Sequence, residues 1–319
     1  MTEIGEQYRA AREGAACLDL ADRGVLAVAG PQRQSFLHNI LSNEVKSLKP
    51  GEGRLAALMD VKGHLQVLCR VLVAEDSVLL EAPSARVPGL KAALVHYKVG
   101  TPVRFEERET HVVGLLGPEA LPRLAALGVE APPEAAESHV VSSTPRGEVR
   151  AVRATDLPGS GFVLHAAAEA AAALLDALVA SGAPLLGHQA LDALRVEAGR
   201  PWFGIDVDAE NLLHETGLLA QYHSSSKGCY VGQEVVARLE GRGGNVNRKL
   251  RGLRLGAPAT PGAPVVAEGR PVGHVTTAAL SPRLGPIAMA YVHRSHSDPG
   301  TAVEVAGSPA TVVELPFGA

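Results

Sequence analysis

Cys229 stands in the stretch "KGCYVGQE" at 227–234, where glycine-spaced polar residues run into a short apolar stripe. A thiol just ahead of a helix, two residues from Lys227, is placed where a thiolate would be stabilised, so it could serve as a nucleophile or a metal ligand. The helix is expected from about Val231 to Glu240, with Val235, Val236 and Leu239 inward and Gly241 beyond its end. Gly228 and Gly232 point to close backbone approach or unusual dihedrals. The competing reading is a small buried apolar residue, a common role for an isolated cysteine. Gln233 and Glu234 occupy the first turn, where a carboxylate favours the helix start whether or not it meets a ligand.

A second candidate is Glu197 in "LDALRVEAGRPWFG". Helical spacing puts it at the border of the stripe formed by Leu191, Leu194 and Ala198, from which it could enter a cleft and accept two N–H donors of a heterocycle. The alternative is a surface pair with Arg200, three residues on. Six cations (Arg238, Arg242, Arg248, Lys249, Arg251 and Arg254) face one acid, Glu240, across residues 238–254. They suit a phosphate or carboxylate tail, or simply a solvated strand and turn. Trp202 could stack on a flat ligand or sit in a core. The twelve histidines are scattered without ligand spacing, and no metal site is expected. Protease-type surroundings for Cys229 are absent.

These residues need a scaffold, and the chain repeats part of one. "VLAVAGP" at 25–31 and "VVGLLGP" at 112–118 each end an apolar run in Gly-Pro before a helix-like segment. The first such helix carries Phe36, Leu37, Ile40 and Leu41, the second Leu121, Leu124 and Leu127, which suggests two related α+β units. Between them, strands at 54–60 and 64–73 form a hairpin around a turn at Asp60 to Gly63. Strands near 139–143, 148–154 and 161–165 precede helices at about 166–180 and 189–199. From about 248 the grammar changes to short strands and Gly/Pro turns, as in a small closed β-domain. The glycine-rich "EGRGGNVN" marks the boundary.

At 319 residues the chain suits two or three domains. Aromatics at 3% argue against a stacking nucleic-acid platform, and a net charge of -4 gives no global field. Cys17, Cys69 and Cys229 are widely spaced and odd in number, which favours a reducing compartment. The first residues lack the pattern of a secretory signal, and no run of 18 apolar residues occurs. The chain is therefore read as soluble and cytoplasmic, without membrane or nucleic-acid partners.

"KGCYVGQE" resembles the signature of the YgfZ family, folate-binding iron-sulfur cluster assembly or repair proteins related to the glycine-cleavage T-protein (GcvT) aminomethyltransferases. "VAGPQRQSFLHNILSNEV", with Ser42, Asn43 and Glu44 at its end, "LRVEAGRPWFG" and "GHVTTAALSPRLGPIAMAYV" extend the resemblance over nearly the whole chain. It implies an α+β fold of two ferredoxin-like units plus a C-terminal β-barrel around a central folate cavity. The corresponding segments are 1–105, 106–246 and 247–319. It also implies tetrahydrofolate as cofactor, Glu197 as the carboxylate that holds the pterin, Lys227 near the acidic glutamyl tail, and Cys229 as the family thiol. Partners would be folate and iron-sulfur client proteins or assembly factors. One cysteine cannot complete a four-thiolate cluster site, so a transient role fits Cys229 better than stable cluster binding.

Two departures bear on the chemistry. Aminomethyltransferases carry an Asp pair in the hairpin strand, where this chain has about Val67 and Leu68, neither able to organise proton transfer. The Gly-His seen in many YgfZ-like sequences reads Gly244 and Asn245. The alternatives are a folate-dependent aminomethyl or one-carbon transferase and a non-catalytic folate-binding scaffold.

Overall fold

The computed structural model describes residues 3–318. Helix α1 (Glu3–Glu13) and strand β1 (Ala16–Asp19) lead into β2 (Arg23–Ala29), α2 (Arg33–His38), the hairpin β3 (Gly53–Met59) and β4 (Leu65–Val73), β5 (Ser77–Pro83), α3 (Val87–Tyr97) and β6 (Arg104–Arg108). The pattern then recurs as β7 (His111–Leu116), α4 (Ala120–Ala126), β8 (His139–Thr144), β9 (Gly147–Ala154), β10 (Gly161–Ala166) and α5 (Ala168–Ala180). Helices α6 (His188–Glu197), α7 (Leu219–Tyr222) and α8 (Gln233–Glu240) connect to six further strands. These are β11 (Arg248–Leu255), β12 (Pro264–Ala267), β13 (Arg270–Ser281), β14 (Gly285–His293), β15 (Ala302–Val305) and β16 (Ser308–Val313).

The two α+β units have one topology. Their sheets run β6-β2-β5-β4-β3 and β1-β7-β10-β9-β8, so each unit's Gly-Pro strand, β2 or β7, sits next to an edge strand. That edge strand is exchanged: β1, which precedes β2 in the chain, pairs with β7, while β6, which precedes β7, pairs with β2. Sheet membership thus departs from the segments 1–105 and 106–246 at two strands, and residue 105 lies inside β6. Strand β1 can take this place because it is apolar on both faces: Ala16 and Leu18 enter one core cluster and Cys17 another.

The repeated Gly-Pro is a backbone requirement. Gly30 and Gly117 have φ of +120° and +112°, and a Cβ on them would lie 2.2 Å from the Pro102 carbonyl oxygen and 2.4 Å from that of Gly14. In the following helices Phe36, Leu37, Ile40 and Leu41 are buried as expected. In the second unit Leu124 and Leu127 are buried with Ala120, whereas Leu121 points to solvent, because residues 120, 124 and 127 share one face.

Strands β11 to β16 close into a barrel in the order β11-β14-β13-β12-β15-β16, filled by small branched side chains such as Val265, Val275, Val303 and Val312. Helix α6 joins the barrel to the rest. Ala190, Leu191 and Leu194 face the core beneath α1, while Val196 packs with Leu250, Ile287 and Met289 of the barrel. Among the described residues no helix is long and apolar enough to cross a membrane.

Candidate functional site

A cavity of about 450 Å³ opens where the two sheets and the 200–222 connection meet. Leu68 and Arg70 of β4 form one wall, Pro83, Ala85 and Arg86 another, and Trp202, Phe203 and Tyr222 supply aromatic surface. Asp156, from the loop after β9, is the second unit's contribution. The segment Ser42–Asn43 positions the far wall. Ser42 Oγ donates to the Tyr222 carbonyl at 2.5 Å, and Asn43 Nδ2 donates to the carbonyls of Leu55 at 2.8 Å and Gln221 at 3.3 Å.

Successive strand residues face opposite sides, so β4 can offer the cavity only one of Val67 and Leu68. Leu68 lines the cavity, while Val67 is buried in the core behind the sheet. Two residues beyond Leu68 on the same face, the buried Arg70 donates to Glu81 at 2.6 Å, to Glu137 at 2.5 Å and to Asp156. Glu81 also meets His165 at 2.7 Å and Arg23 at 3.5 Å. Burial pulls the Arg70 pKa down, but Asp156, Glu81 and Glu137 outweigh it and hold the guanidinium well above its ordinary value. Burial likewise pushes the Glu81 carboxyl up, and Arg70 and His165 reverse that, holding it far below the usual range. Glu137 is raised, chiefly by burial.

This network was not read from the sequence, although a signal was present. Arg70 is the one charge in "LQVLCRVLV", and a guanidinium inside an apolar strand requires buried anions. Glu81 and His165 even occupy equivalent places in the two units, opposite Val25 and Val112, the first residues of the repeated Gly-Pro pattern. They touch where the two halves meet.

The structure separates the three candidate residues read from the sequence. Glu197 is 3% exposed and faces α1 and the barrel: Tyr8 donates to both its oxygens at 2.9 and 3.0 Å, Ser281 donates to Oε1, and Arg283 donates to Oε2 at 2.9 Å. It forms no pair with Arg200 and is not among the residues lining the cavity. The barrel covers the border of α6, a long-range packing that helical periodicity cannot show. Lys227 is buried rather than directed to a cavity. Its ammonium donates to the carbonyls of His38 and of Leu41, the latter at 2.5 Å, and lies 4.7 Å from the Tyr230 ring. Burial lowers its pKa to about 8, with Glu44 and Cys229 opposing. Lys227 thus satisfies carbonyls left open where α2 ends.

Cys229 is exposed, in contrast to Cys17 and Cys69, whose thiols burial pushes up to about 11 and about 12. The helix after it starts at Gln233 rather than near Val231, because Gly232 takes φ +84° as its N-cap; Cys229 therefore lies outside the first turn. Of the inward set expected on α8, only Val236 is buried. The motif instead grips the β3–β4 turn, where Gly232 and Val235 pack against Asp60 and Gly63. The basic run divides: Arg248 pairs with Glu215 and Arg251 with Glu314 on the barrel, while Arg238 and Arg242 are exposed. Trp202 stands at the cavity, with the Arg195 guanidinium 5.4 Å from its ring.

Two α+β units with exchanged edge strands, a closed six-stranded barrel and a cavity at their junction define a GcvT-type protein. The chain belongs to the glycine-cleavage T-protein family: residues 1–222 match the GCVT N-terminal domain and residues 248–318 the glycine cleavage T-protein C-terminal barrel domain. It is 32% identical to an aminomethyltransferase of Streptomyces coelicolor, over 98% of this chain and 88% of that protein. Against an aminomethyltransferase of Synechococcus sp. RCC307 it is 30% identical, over 98% and 89%. The crystal structure of glycine cleavage system aminomethyltransferase T from Bartonella henselae shares its fold, with a TM-score of 0.89 at 23% identity over 99% of this chain and 89% of that one.

Proposed function

We propose that this protein binds tetrahydrofolate in the junction cavity and acts, as a YgfZ-type member of the family, in iron-sulfur cluster assembly or repair through Cys229. The observation that carries folate binding is the cavity's chemistry. It combines Trp202, Phe203 and Tyr222 with Arg86 and Arg200, and the Arg200 Nε is buried without a hydrogen-bond partner among the described residues. A flat heterocycle with an anionic tail supplies what such a lining lacks: a face for the rings and an acceptor for the guanidinium. Glu197 remains part of the proposal only if a pterin takes the place of Ser281, Tyr8 or Arg283 on its oxygens. Lys227 would act on a glutamyl tail only after leaving its two carbonyls.

Trp202 is the chain's one tryptophan and lines the cavity, so tetrahydrofolate is expected to change its emission saturably, a signal lost in Trp202→Phe. If calorimetry also shows no heat of binding, the folate assignment falls. Glu197→Ala, titrated alongside, reports whether that carboxylate contributes.

The second reading, a folate-dependent aminomethyl or one-carbon transferase, draws on the relatives named aminomethyltransferase. Leu68 at the cavity wall opposes it, since a hydrocarbon cannot organise a proton transfer. Purified protein given aminomethyl-lipoyl carrier and tetrahydrofolate is expected to form no methylene-tetrahydrofolate; sustained turnover would put the second reading first. The thiol role is tested separately. In a strain lacking this protein, Cys229→Ser is expected to leave iron-sulfur enzyme activity at the deletion level, and full restoration would remove Cys229 from the function.

A further inference from the structure

The three carboxylates gathered on Arg70 are not equivalent. Glu81 uses both oxygens, Oε1 toward Arg23 and Oε2 toward Arg70 and His165. Glu137 does the same, Oε2 accepting from Arg70 and Oε1 from the backbone N–H and hydroxyl of Thr155. Asp156 engages Arg70 through Oδ1, and its Oδ2 has no partner among the described residues. Its side chain is 17% exposed, and the space it meets is the cavity. Asp22, the other acid of the lining, is exposed.

Charge points the same way. Three carboxylates face two guanidiniums, Arg70 and Arg23, and one imidazole, so the group accommodates a further hydrogen-bond donor more readily than a further acceptor. The free oxygen is held in place, because Arg70 is itself fixed by two other carboxylates and the Asp156 backbone follows Thr155, which is bonded to Glu137. On the same cavity, Arg86 and Arg200 make no ion pair among the described residues; the Arg86 guanidinium lies 5.2 Å from the Phe203 ring.

We infer that Asp156, oriented by Arg70, is the carboxylate that reads the N–H edge of the cavity's heterocyclic ligand, while Arg86 and Arg200 receive its anionic end. This rests on the folate reading and adds to it a residue and a direction. The amidine-like edge of a pterin carries a ring N–H beside an exocyclic amine, and a fixed anionic oxygen accepts from such donors better than water does. The loop acid stands where the wall strand itself offers Leu68 and no carboxylate.

The test is calorimetric titration of wild type and Asp156→Asn with tetrahydrofolate and with its 2-desamino analogue, which lacks the exocyclic amine. Asn preserves shape and an acceptor for Arg70 but loses the anionic oxygen, so tetrahydrofolate is expected to bind about ten- to hundredfold more weakly, the range for a hydrogen bond to a charged group. Wild type should bind the analogue with a loss of the same order, and Asp156→Asn should scarcely distinguish the two ligands. The inference is overturned if wild type binds tetrahydrofolate and Asp156→Asn matches it, or if wild type binds the analogue as tightly as tetrahydrofolate. The second comparison needs no variant, so a misfolded Asp156→Asn does not obscure it. No binding of tetrahydrofolate by wild type removes the folate reading and this inference together.

Discussion

Arg70→Met is expected to lower folding stability by about 3–5 kcal/mol near pH 7.5, measured as the shift in urea unfolding. Methionine fills much of the volume, so the loss is electrostatic: Glu81 and Glu137, both buried, lose their common cation, and Asp156 loses its anchor. The pH dependence distinguishes this from a packing defect. In wild type the Glu81 carboxyl lies far below its ordinary value, so its contribution is present above the unfolded pKa of about 4.3 and is lost as pH falls toward the folded value. Glu137, already raised by burial in wild type, rises further without Arg70, and Glu81 loses the largest of the cations that hold it down. A raised carboxyl contributes stability fully present below the unfolded pKa and lost as pH rises through the folded one. The gap between wild type and variant should therefore narrow from pH 8 to pH 5, and a pH-independent gap would overturn the electrostatic account.

Gly232→Ala is expected to cost about 2–4 kcal/mol, the sum of a left-handed residue with a Cβ and a steric conflict. Gly232 has φ +84°, and a Cβ there would lie 2.6 Å from the backbone oxygen of Asp60, which the turn cannot easily move. That turn is fixed by Asp60 Oδ1, which accepts from the backbone N–H groups of Lys62 at 2.8 Å and His64 at 2.9 Å. Gly228→Ala, in the same motif, meets nothing within 4 Å and is the matched control, expected to change thermal unfolding little. Equal effects of the two substitutions would show that the motif does not clamp the hairpin. A loss of function in Gly232→Ala with Cys229 intact would identify the motif's geometry, beyond its thiol, as necessary.

Local rules made much of the scaffold legible. The repeated Gly-Pro marked two units because a left-handed glycine before a helix is a constraint carried by neighbouring residues. The hairpin around Asp60 to Gly63 and the onset of barrel strands at Arg248 were readable for similar reasons, through alternation and turn chemistry. The exchange of β1 and β6 was not readable, since the sheet edge a strand joins is set by how distant parts of the chain pack and not by its neighbouring residues.

The site divides along the same line. By itself the sequence determined the kinship with the glycine-cleavage T-protein family, the two α+β units and a thiol in a glycine-held loop, because those depend on residue types a few positions apart. Only the tertiary structure decided which side chains meet the cavity. It turned Lys227 onto the end of α2, enclosed Glu197 between Tyr8 and the barrel, and left Cys229 at the surface. It brought Arg70 and Asp156 together from 86 positions apart. A buried charge must find its partner somewhere, but the chain's local pattern carries no information on where; that is set by how the two sheets pack.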